Sequence, residues 1–229
     1  TIHKYATMLG LGEKTGIELP GEKPGLIPSQ EWKKKQFKYP WQKGETLSAA
    51  IGQGFVLCTP LQLAVMMAAL ANGSYVPQPH LVVGIDCDKK TFVPEPEKRK
   101  PINISAATLA IIKKALAGVV NEPSGTGGKA RIPGILVGGK TGTAQVVGKR
   151  VYTERTGKLP NHFEDHAWFV ALAPVDNPQI VVAVYCEHGG HGGSAAAPLA
   201  REIIACFFQT DYHEPQGFQQ QEESSDEHD

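Results

Sequence analysis

Gly138-Gly139-Lys140-Thr141-Gly142-Thr143-Ala144-Gln145 is the most informative string in this chain, because a lysine set among glycines serves two unrelated chemistries. Counted back to Gly134, it fits the phosphate-loop pattern of a glycine, four residues, then Gly139-Lys140-Thr141. That pattern requires a helix beginning at the lysine, whose first N–H groups face the phosphates. The chain instead continues as Thr141-Gly142-Thr143-Ala144-Gln145-Val146-Val147, glycine-interrupted and β-branched, and stopped by Gly148. This predicts a strand. The preceding Ser124-Gly125-Thr126-Gly127-Gly128-Lys129-Ala130-Arg131-Ile132-Pro133-Gly134 reads as a loop, not as the strand that must feed a phosphate loop. The nucleotide reading fails on both sides of its lysine.

On a strand the same residues suit a different ligand. Lys140 supplies a fixed positive charge that attracts a carboxylate and keeps neighbouring hydroxyls in a useful protonation state. Thr141 and Thr143 are two apart, so they project the same way and offer two hydroxyls to that carboxylate. Gly142 leaves room for a substrate backbone to lie along the strand edge. Strict alternation puts Lys140 on the opposite face from the threonines. The sequence offers no account of how all three reach one ligand beyond a strand that edges a cleft and twists there.

A chain of 229 residues, 41% of them hydrophobic, is long enough for one substantial core with appendages. Lys plus Arg and Asp plus Glu both number 23, which gives no electrostatic footprint for nucleic acid or an anionic membrane. No segment approaches the ~20 apolar residues of a membrane span, and Thr1-Ile2-His3-Lys4 is not a signal peptide. Cys58, Cys87, Cys186 and Cys206 show no Cys-x-x-Cys spacing and read mostly as core thiols. His162 and His166 flank Glu164, and His188 and His191 flank glycines, yet no His-Glu-x-x-His arrangement or third ligand accompanies them. No metal site is expected here, and polar strand ends and turns account for the histidines.

Working outward, residues 1–42 are rich in Gly, Pro and Lys and read as loops with one short helix near 29–35, whose Lys33-Lys34-Lys35 run is a solvated face. Thr59-Pro60-Leu61-Gln62 offers a threonine cap, a first-position proline and a glutamine three residues after the cap, opening a helix apolar on all sides and hence buried. Leu81-Val82-Val83-Gly84-Ile85 is strand-like. A second helix over 105–120 packs one-sidedly through Leu109, Ile112, Leu116 and Val119, with Lys113 and Lys114 away from that face. His166 to Leu172 and Gln179 to Cys186 read as strands joined by Pro174-Val175-Asp176-Asn177-Pro178, hence antiparallel, and their unbroken apolar runs require cover on both faces. A last helix, 195–208, supplies one cover through Leu199, Ile203 and Phe207. The polar loop 148–164, with Lys149, Arg150, Tyr152 and Arg155, reads as a solvated rim. The division is 1–209 as the folded part and 210–229 as a polar, acidic, disordered tail. The class is α+β: an antiparallel sheet covered by helices on both faces.

The motifs also stand in a recognisable order. Gly10-Leu11-Gly12 with Leu19-Pro20-Gly21-Glu22, Ile51-Gly52-Gln53-Gly54 leading to Thr59-Pro60-Leu61-Gln62-Leu63-Ala64 and Leu70-Ala71-Asn72-Gly73, then the lysine strand, resemble the class B penicillin-binding proteins. Val76-Pro77-Gln78-Pro79-His80-Leu81 resembles their elongation-specific branch. The resemblance covers about Gly10 to Phe208 and implies the penicillin-binding transpeptidase / β-lactamase-like fold. It also implies a D,D-transpeptidase that cross-links peptidoglycan stem peptides through a serine acyl-enzyme and is acylated by β-lactams.

Carried onto this sequence, the resemblance makes Lys140 the site cation and Thr141 and Thr143 the carboxylate ligands. Gly142 is where the substrate backbone passes, and the Thr143 N–H is half of an oxyanion hole. The family's Ser-x-x-Lys and Ser-x-Asn are absent ahead of Lys140, and the only Ser-x-Asp, Ser224-Ser225-Asp226, lies in the acidic tail. The chain is therefore expected to be the C-terminal part of the catalytic domain and inactive alone, with its nucleophile on an N-terminal remainder. Further expectations are no cofactor, any zinc site drawing on residues outside this chain, and a periplasmic parent anchored in the inner membrane by a segment elsewhere. Expected partners are a rod-complex glycosyltransferase and scaffold, and no nucleic acid. A non-catalytic module that senses β-lactams or scaffolds the wall machinery keeps the same strand, so two function classes stay open.

Overall fold

The computed structural model describes residues 1–82, 84–87, 90–92, 100–146 and 164–209. The loop carrying Lys149, Arg150, Tyr152 and Arg155, together with His162, Val83 and the tail 210–229 with its Ser224-Ser225-Asp226, lies outside them. In chain order the elements are α1 Ile2–Met8, α2 Gln30–Phe37, α3 Lys43–Ala50, α4 Pro60–Asn72, the short strands β1 Tyr75–Val76, β2 Ile85–Cys87, β3 Lys90–Phe92 and β4 Lys100–Pro101, α5 Ala106–Asn121, the strands β5 Gly138–Ala144, β6 His166–Ala173 and β7 Ile180–Cys186, and α6 Ala197–Phe207.

The principal sheet has the order β5-β6-β7, antiparallel throughout, with Lys140 opposite Val170, Thr141 opposite Phe169 and Ala171 opposite Val182. Because side chains alternate, the sheet presents two apolar faces. Ala167, Phe169, Ala171 and Ala173 pack with Val182 and Val184 against Ala196, Ala197, Ala200, Ile204 and Ala205 of α6 and the turn before it. Val170 and Leu172 pack on the other side with Met67 and Leu63 of α4 and Leu116 and Ala117 of α5. The cover on both faces that the apolar runs demanded is present.

Local chemistry sets the helix limits. Thr59 accepts the Gln62 N–H, the Gln62 side chain accepts the Thr59 N–H at 2.9 Å, Pro60 opens the first turn, and Gly73 closes α4 in a left-handed conformation at φ 71°. Ser105 caps α5 by accepting from the Thr108 N–H at 3.1 Å. Lys113 does not face solvent alone: its ammonium donates to Ala71 O at 2.8 Å and caps the last turn of α4.

Several expectations need correcting. The first 42 residues hold more helix than their composition suggests. Besides α2, Ile2–Met8 forms α1, held by His3 Nδ1 at 3.0 Å from Ile27 O, and immediately after these residues α3 starts at Lys43 behind a capping box between Gln42 and Glu45. Lys33 is not solvated: its side chain pairs with Glu45 and sits 5.1 and 5.0 Å from the ring centroids of Phe37 and Phe55. Lys34 and Lys35 alone keep the solvated face. No strand begins at Leu81, which is 61% exposed and whose N–H goes to the Glu18 carboxylate; β2 starts at Ile85. In α6 the sheet takes Ala197, Ala200, Ile204 and Ala205, while Leu199, Ile203 and Phe207 stand 45, 48 and 51% exposed. Small side chains let the helix approach closely, and a π turn, Gly192–Ala196, precedes it and shifts its phase. The described cysteines are not core thiols as expected: Cys206, on that same helix, is exposed, and Cys58 and Cys186 are half-buried.

One amide joins the N-terminal loops to this framework. Gln62 is fully buried, and besides its capping contact it donates to Glu13 O at 2.6 Å and Pro24 O at 2.8 Å, so both of its amide hydrogens and its oxygen are engaged. A Cβ on Gly25, at φ 62°, would meet Leu57 O at 2.4 Å and the Gln62 oxygen at 2.7 Å, so only glycine lets the chain pass. The neighbouring Glu22 carboxylate accepts from the Thr15 N–H and hydroxyl, both at 2.6 Å, and from the Gly16 N–H at 3.2 Å. Burial works to raise its pKa, and the combined hydrogen bonds from Thr15 and Gly16 outweigh it and hold the carboxyl below its ordinary value.

These contacts set two expected outcomes for stability. Gln62→Leu removes the side-chain partner of the Thr59 N–H and of the Glu13 and Pro24 carbonyls at a fully buried position, and urea denaturation should show a loss of about 2 to 5 kcal/mol. Because the folded pKa of Glu22 is depressed, its contacts are complete above the usual glutamate value of ~4.3 and are lost as pH falls through the lower folded value. Hydrogen exchange should show the Thr15 and Gly16 amides losing protection only in that acid window.

Candidate active site

β5 bonds to β6 on one side and, among the described residues, to no strand on the other. Thr141 and Thr143 lie opposite Phe169 and Ala167 and so share the α6 face, whereas Lys140 and Gly142, opposite Val170 and Trp168, share the α4 face. The alternation expected from the sequence is therefore real. What unites the two faces is the free edge. The Lys140 ammonium bends back over it and donates to Thr141 O at 2.8 Å. The side-chain amide of Gln53, 90 residues away in sequence, donates to Thr143 O at 2.8 Å. Carbonyls two residues apart point the same way, and in an antiparallel strand the N–H of a residue points with its C=O. The edge therefore displays the N–H and C=O of both Thr141 and Thr143, with a cation beside them.

A hollow of about 580 Å³ opens on the α4 side, lined by Val56, Cys58, Leu63, Met67, Lys140, Gly142, His166, Trp168, Val170 and Tyr185. A second cleft, of about 620 Å³, opens on the α6 side, lined by Thr126, Lys129, Thr141, Thr143, His191, Gly192, Gly193 and Ser194. Thr141 and Thr143 border both. An extended ligand along β5 thus meets an apolar wall on one flank and hydroxyls with a second cation on the other.

Glycines bring the backbones this close. Gly192 leaves so little space that a Cβ would stand 2.1 Å from Trp168 O and 2.7 Å from Gly142 O. Gly127 packs on the Phe169 ring, and its N–H bonds to Val119 O at 2.9 Å, which fixes the loop bearing Thr126. The Thr126 hydroxyl lies 2.9 Å from that of Thr141 and orients it.

The hollow ends in a stack of rings. Trp168 and Tyr185 centroids are 4.6 Å apart, His166 and Tyr185 5.3 Å, and His166 and His188 4.8 Å. His166 Nδ1 accepts the His188 N–H at 3.0 Å, so its proton sits on Nε2, and His188 Nδ1 faces Glu164 O at 3.1 Å. Burial and then the Glu187 charge raise the Tyr185 pKa, which keeps the phenol neutral. Burial likewise pushes the Cys58 thiol up, away from the reactive thiolate. Among the described residues no three His, Cys, Asp or Glu side chains gather where they could hold a metal.

The structure thus brings Lys140, Thr141, Gly142 and Thr143 together at one edge. Sequence reasoning missed Gln53, Thr126 and the Trp168–Tyr185 wall. Gln53 carried a signal: glycines on both sides, at φ 74° and 73°, that present it on a tight loop. The Trp168–Tyr185 contact arises across β6 and β7 and had no local signature.

A sequence profile described as "Penicillin binding protein transpeptidase domain" matches residues 1–205. The chain is 42% identical over 198 residues to the peptidoglycan D,D-transpeptidase MrdA of Haemophilus influenzae, covering 85% of this chain and 30% of the relative. It superposes on the structure of Pseudomonas aeruginosa PBP2 with a TM-score of 0.75 at 35% identity, covering 90% of this chain and 42% of that one. On Helicobacter pylori PBP2, solved in complex with MreC, the TM-score is 0.73 at 29% identity, over 90% of this chain and 35% of that one. The chain spans about a third of the length of the curated relatives it matches.

The glycine contacts predict an asymmetry in thermal unfolding. Gly192→Ala pushes against backbone atoms and should cost about 1 to 3 kcal/mol, several degrees in Tm. Gly142→Ala meets the Trp168 Cβ at 3.2 Å, a contact that gives by a few tenths of an ångström, and should cost less.

Proposed function

Since the chain belongs to the penicillin-binding protein transpeptidase family, we propose that it is the C-terminal part of the catalytic domain of a bacterial peptidoglycan D,D-transpeptidase of the elongation branch, and inactive without its N-terminal remainder. The observation that carries this reading is the composition of the β5 edge. A cation turned onto the edge, two hydroxyls on its flank and two outward N–H groups match a peptide that ends in a carboxylate and whose carbonyl becomes an oxyanion.

In this reading a stem peptide ending in D-Ala-D-Ala lies along β5, antiparallel, with Gly142 giving it room. The Thr141 and Thr143 hydroxyls, backed by the Lys140 charge, hold the terminal carboxylate. A serine hydroxyl from the N-terminal remainder adds to the penultimate carbonyl carbon, and the Thr143 N–H stabilises the oxygen that becomes negative. The bond to the terminal D-Ala breaks and D-Ala leaves. The amine of a neighbouring stem peptide then takes the acyl group and releases the serine. A β-lactam presents the same carboxylate and carbonyl and acylates the serine by ring opening. No cofactor enters these steps, and a zinc site in the parent protein would be built from residues outside this chain.

The partners proposed with this reading are peptidoglycan stem peptides, β-lactams, and a rod-complex glycosyltransferase and scaffold. The complex of the Helicobacter pylori relative with MreC supports the scaffold. Among the described residues no helix is long and apolar enough to cross a membrane; the reading places its parent in the periplasm, with the inner-membrane anchor on a segment elsewhere.

A fluorescent penicillin tests the reading. Joined to its N-terminal remainder the chain should give a covalent band, and the chain alone should give none. Lys140→Ala in the joined protein should slow labelling at least about 100-fold; undisturbed labelling removes the role given to Lys140. Acyl transfer between stem peptides by the joined protein marks an enzyme, and its absence alongside labelling marks a sensing or scaffolding module.

A further inference from the structure

The contact between Gln53 and Thr143 O has no place in the acyl-transfer steps, although it occupies the edge on which they depend. Its backbone is fixed: the Gln53 N–H bonds to Ser48 O at 2.9 Å and the Gly52 N–H to Ala49 O at 3.1 Å, so the loop hangs rigidly from the end of α3. From that anchor the side chain reaches across to β5 and lays a primary amide on the Thr143 carbonyl. A primary amide N–H is the chemical equivalent of a peptide N–H. A peptide paired antiparallel with β5 needs the same acceptor for its own N–H, since a residue facing the edge exchanges both of its backbone groups with the incoming strand.

On the reading that β5 receives the substrate peptide, we propose that Gln53 is a built-in competitor for that peptide: its amide closes the Thr143 end of the edge when the groove is empty and is displaced when a peptide or β-lactam amide binds. The loop thereby sets how tightly substrate binds. It also protects an open strand edge from pairing with other chains. Lys140 stands in a parallel relation to Thr141 O, but its charge has a use once substrate arrives.

The test is Gln53→Met in the protein joined to its N-terminal remainder, which keeps side-chain length and removes both donors. Labelling by fluorescent penicillin, followed over a range of concentrations, should show the half-saturating concentration falling roughly threefold to tenfold, the net worth of one hydrogen bond, with the gain in that concentration rather than in the first-order step. An unchanged or higher half-saturating concentration, or a slower first-order step, overturns the proposal and assigns Gln53 to holding β5 in place. A second measurement needs no variant. In the wild-type protein the Gln53 side-chain amide protons should be protected from exchange in the free state and exposed after acylation, and protection that persists overturns the proposal. A joined wild-type protein that takes no label defeats the substrate reading itself, and the competitor falls with it; a labelled wild type with an unaltered Gln53→Met sinks the competitor alone.

Discussion

The structure depends on one constraint: β5 must be anchored in the core at its buried Gly138–Gly139 end and left open along one edge from Lys140 onward. A strand in that position exposes a row of unpaired backbone groups, which other proteins shorten, charge or cover. Here the covering layers stop at the rim. Phe169 and the turn at Gly192 hold the α6 side, Trp168 and Val170 hold the α4 side, and among the described residues Lys140 and Gln53 reach around to the exposed carbonyls.

The remainder of the chain serves to hold that strand still. Gln62 ties Glu13 and Pro24 to the first turn of α4, and α4 packs through Met67 and Leu63 on Val170 and Leu172. The N-terminal loops are thereby coupled to the sheet through a single helix. Lys33, between Phe37, Phe55 and Glu45, fixes α2 against α3, from whose end the Gln53 loop departs. A chain of contacts thus runs from the first third of the molecule to Thr143.

Sequence carried the architecture wherever one residue type admits a single local geometry. The threonine cap, first-position proline and closing Gly73 marked α4, and the apolar runs of β6 and β7 required two covering layers. The strand at Lys140 was legible because glycine and β-branched residues exclude the helix a phosphate loop needs. The sequence misled where tertiary packing chose among options. The face of α6 was assigned to its largest side chains, while the sheet takes its alanines because closeness outweighs side-chain area there. Lys33 looked like its two neighbours until Glu45 and two rings gathered around it. At the edge, alternation correctly separated Lys140 from the threonines, and the long, flexible stem of lysine, which no pattern encodes, closed that gap.

The groups proposed to meet a ligand at this edge are amide N–H and carbonyl oxygens, which every residue carries except for the missing proline N–H. Point mutation of Thr141 or Thr143 can strip a hydroxyl without removing the main-chain partners beneath it. Heritable variation reaches those partners only indirectly, by moving the strand. The places where it can move are the spots where backbone presses on backbone, Gly192 against Gly142 and Trp168. A lineage under pressure to retune this groove has few positions to work with, and they are occupied by the smallest residue.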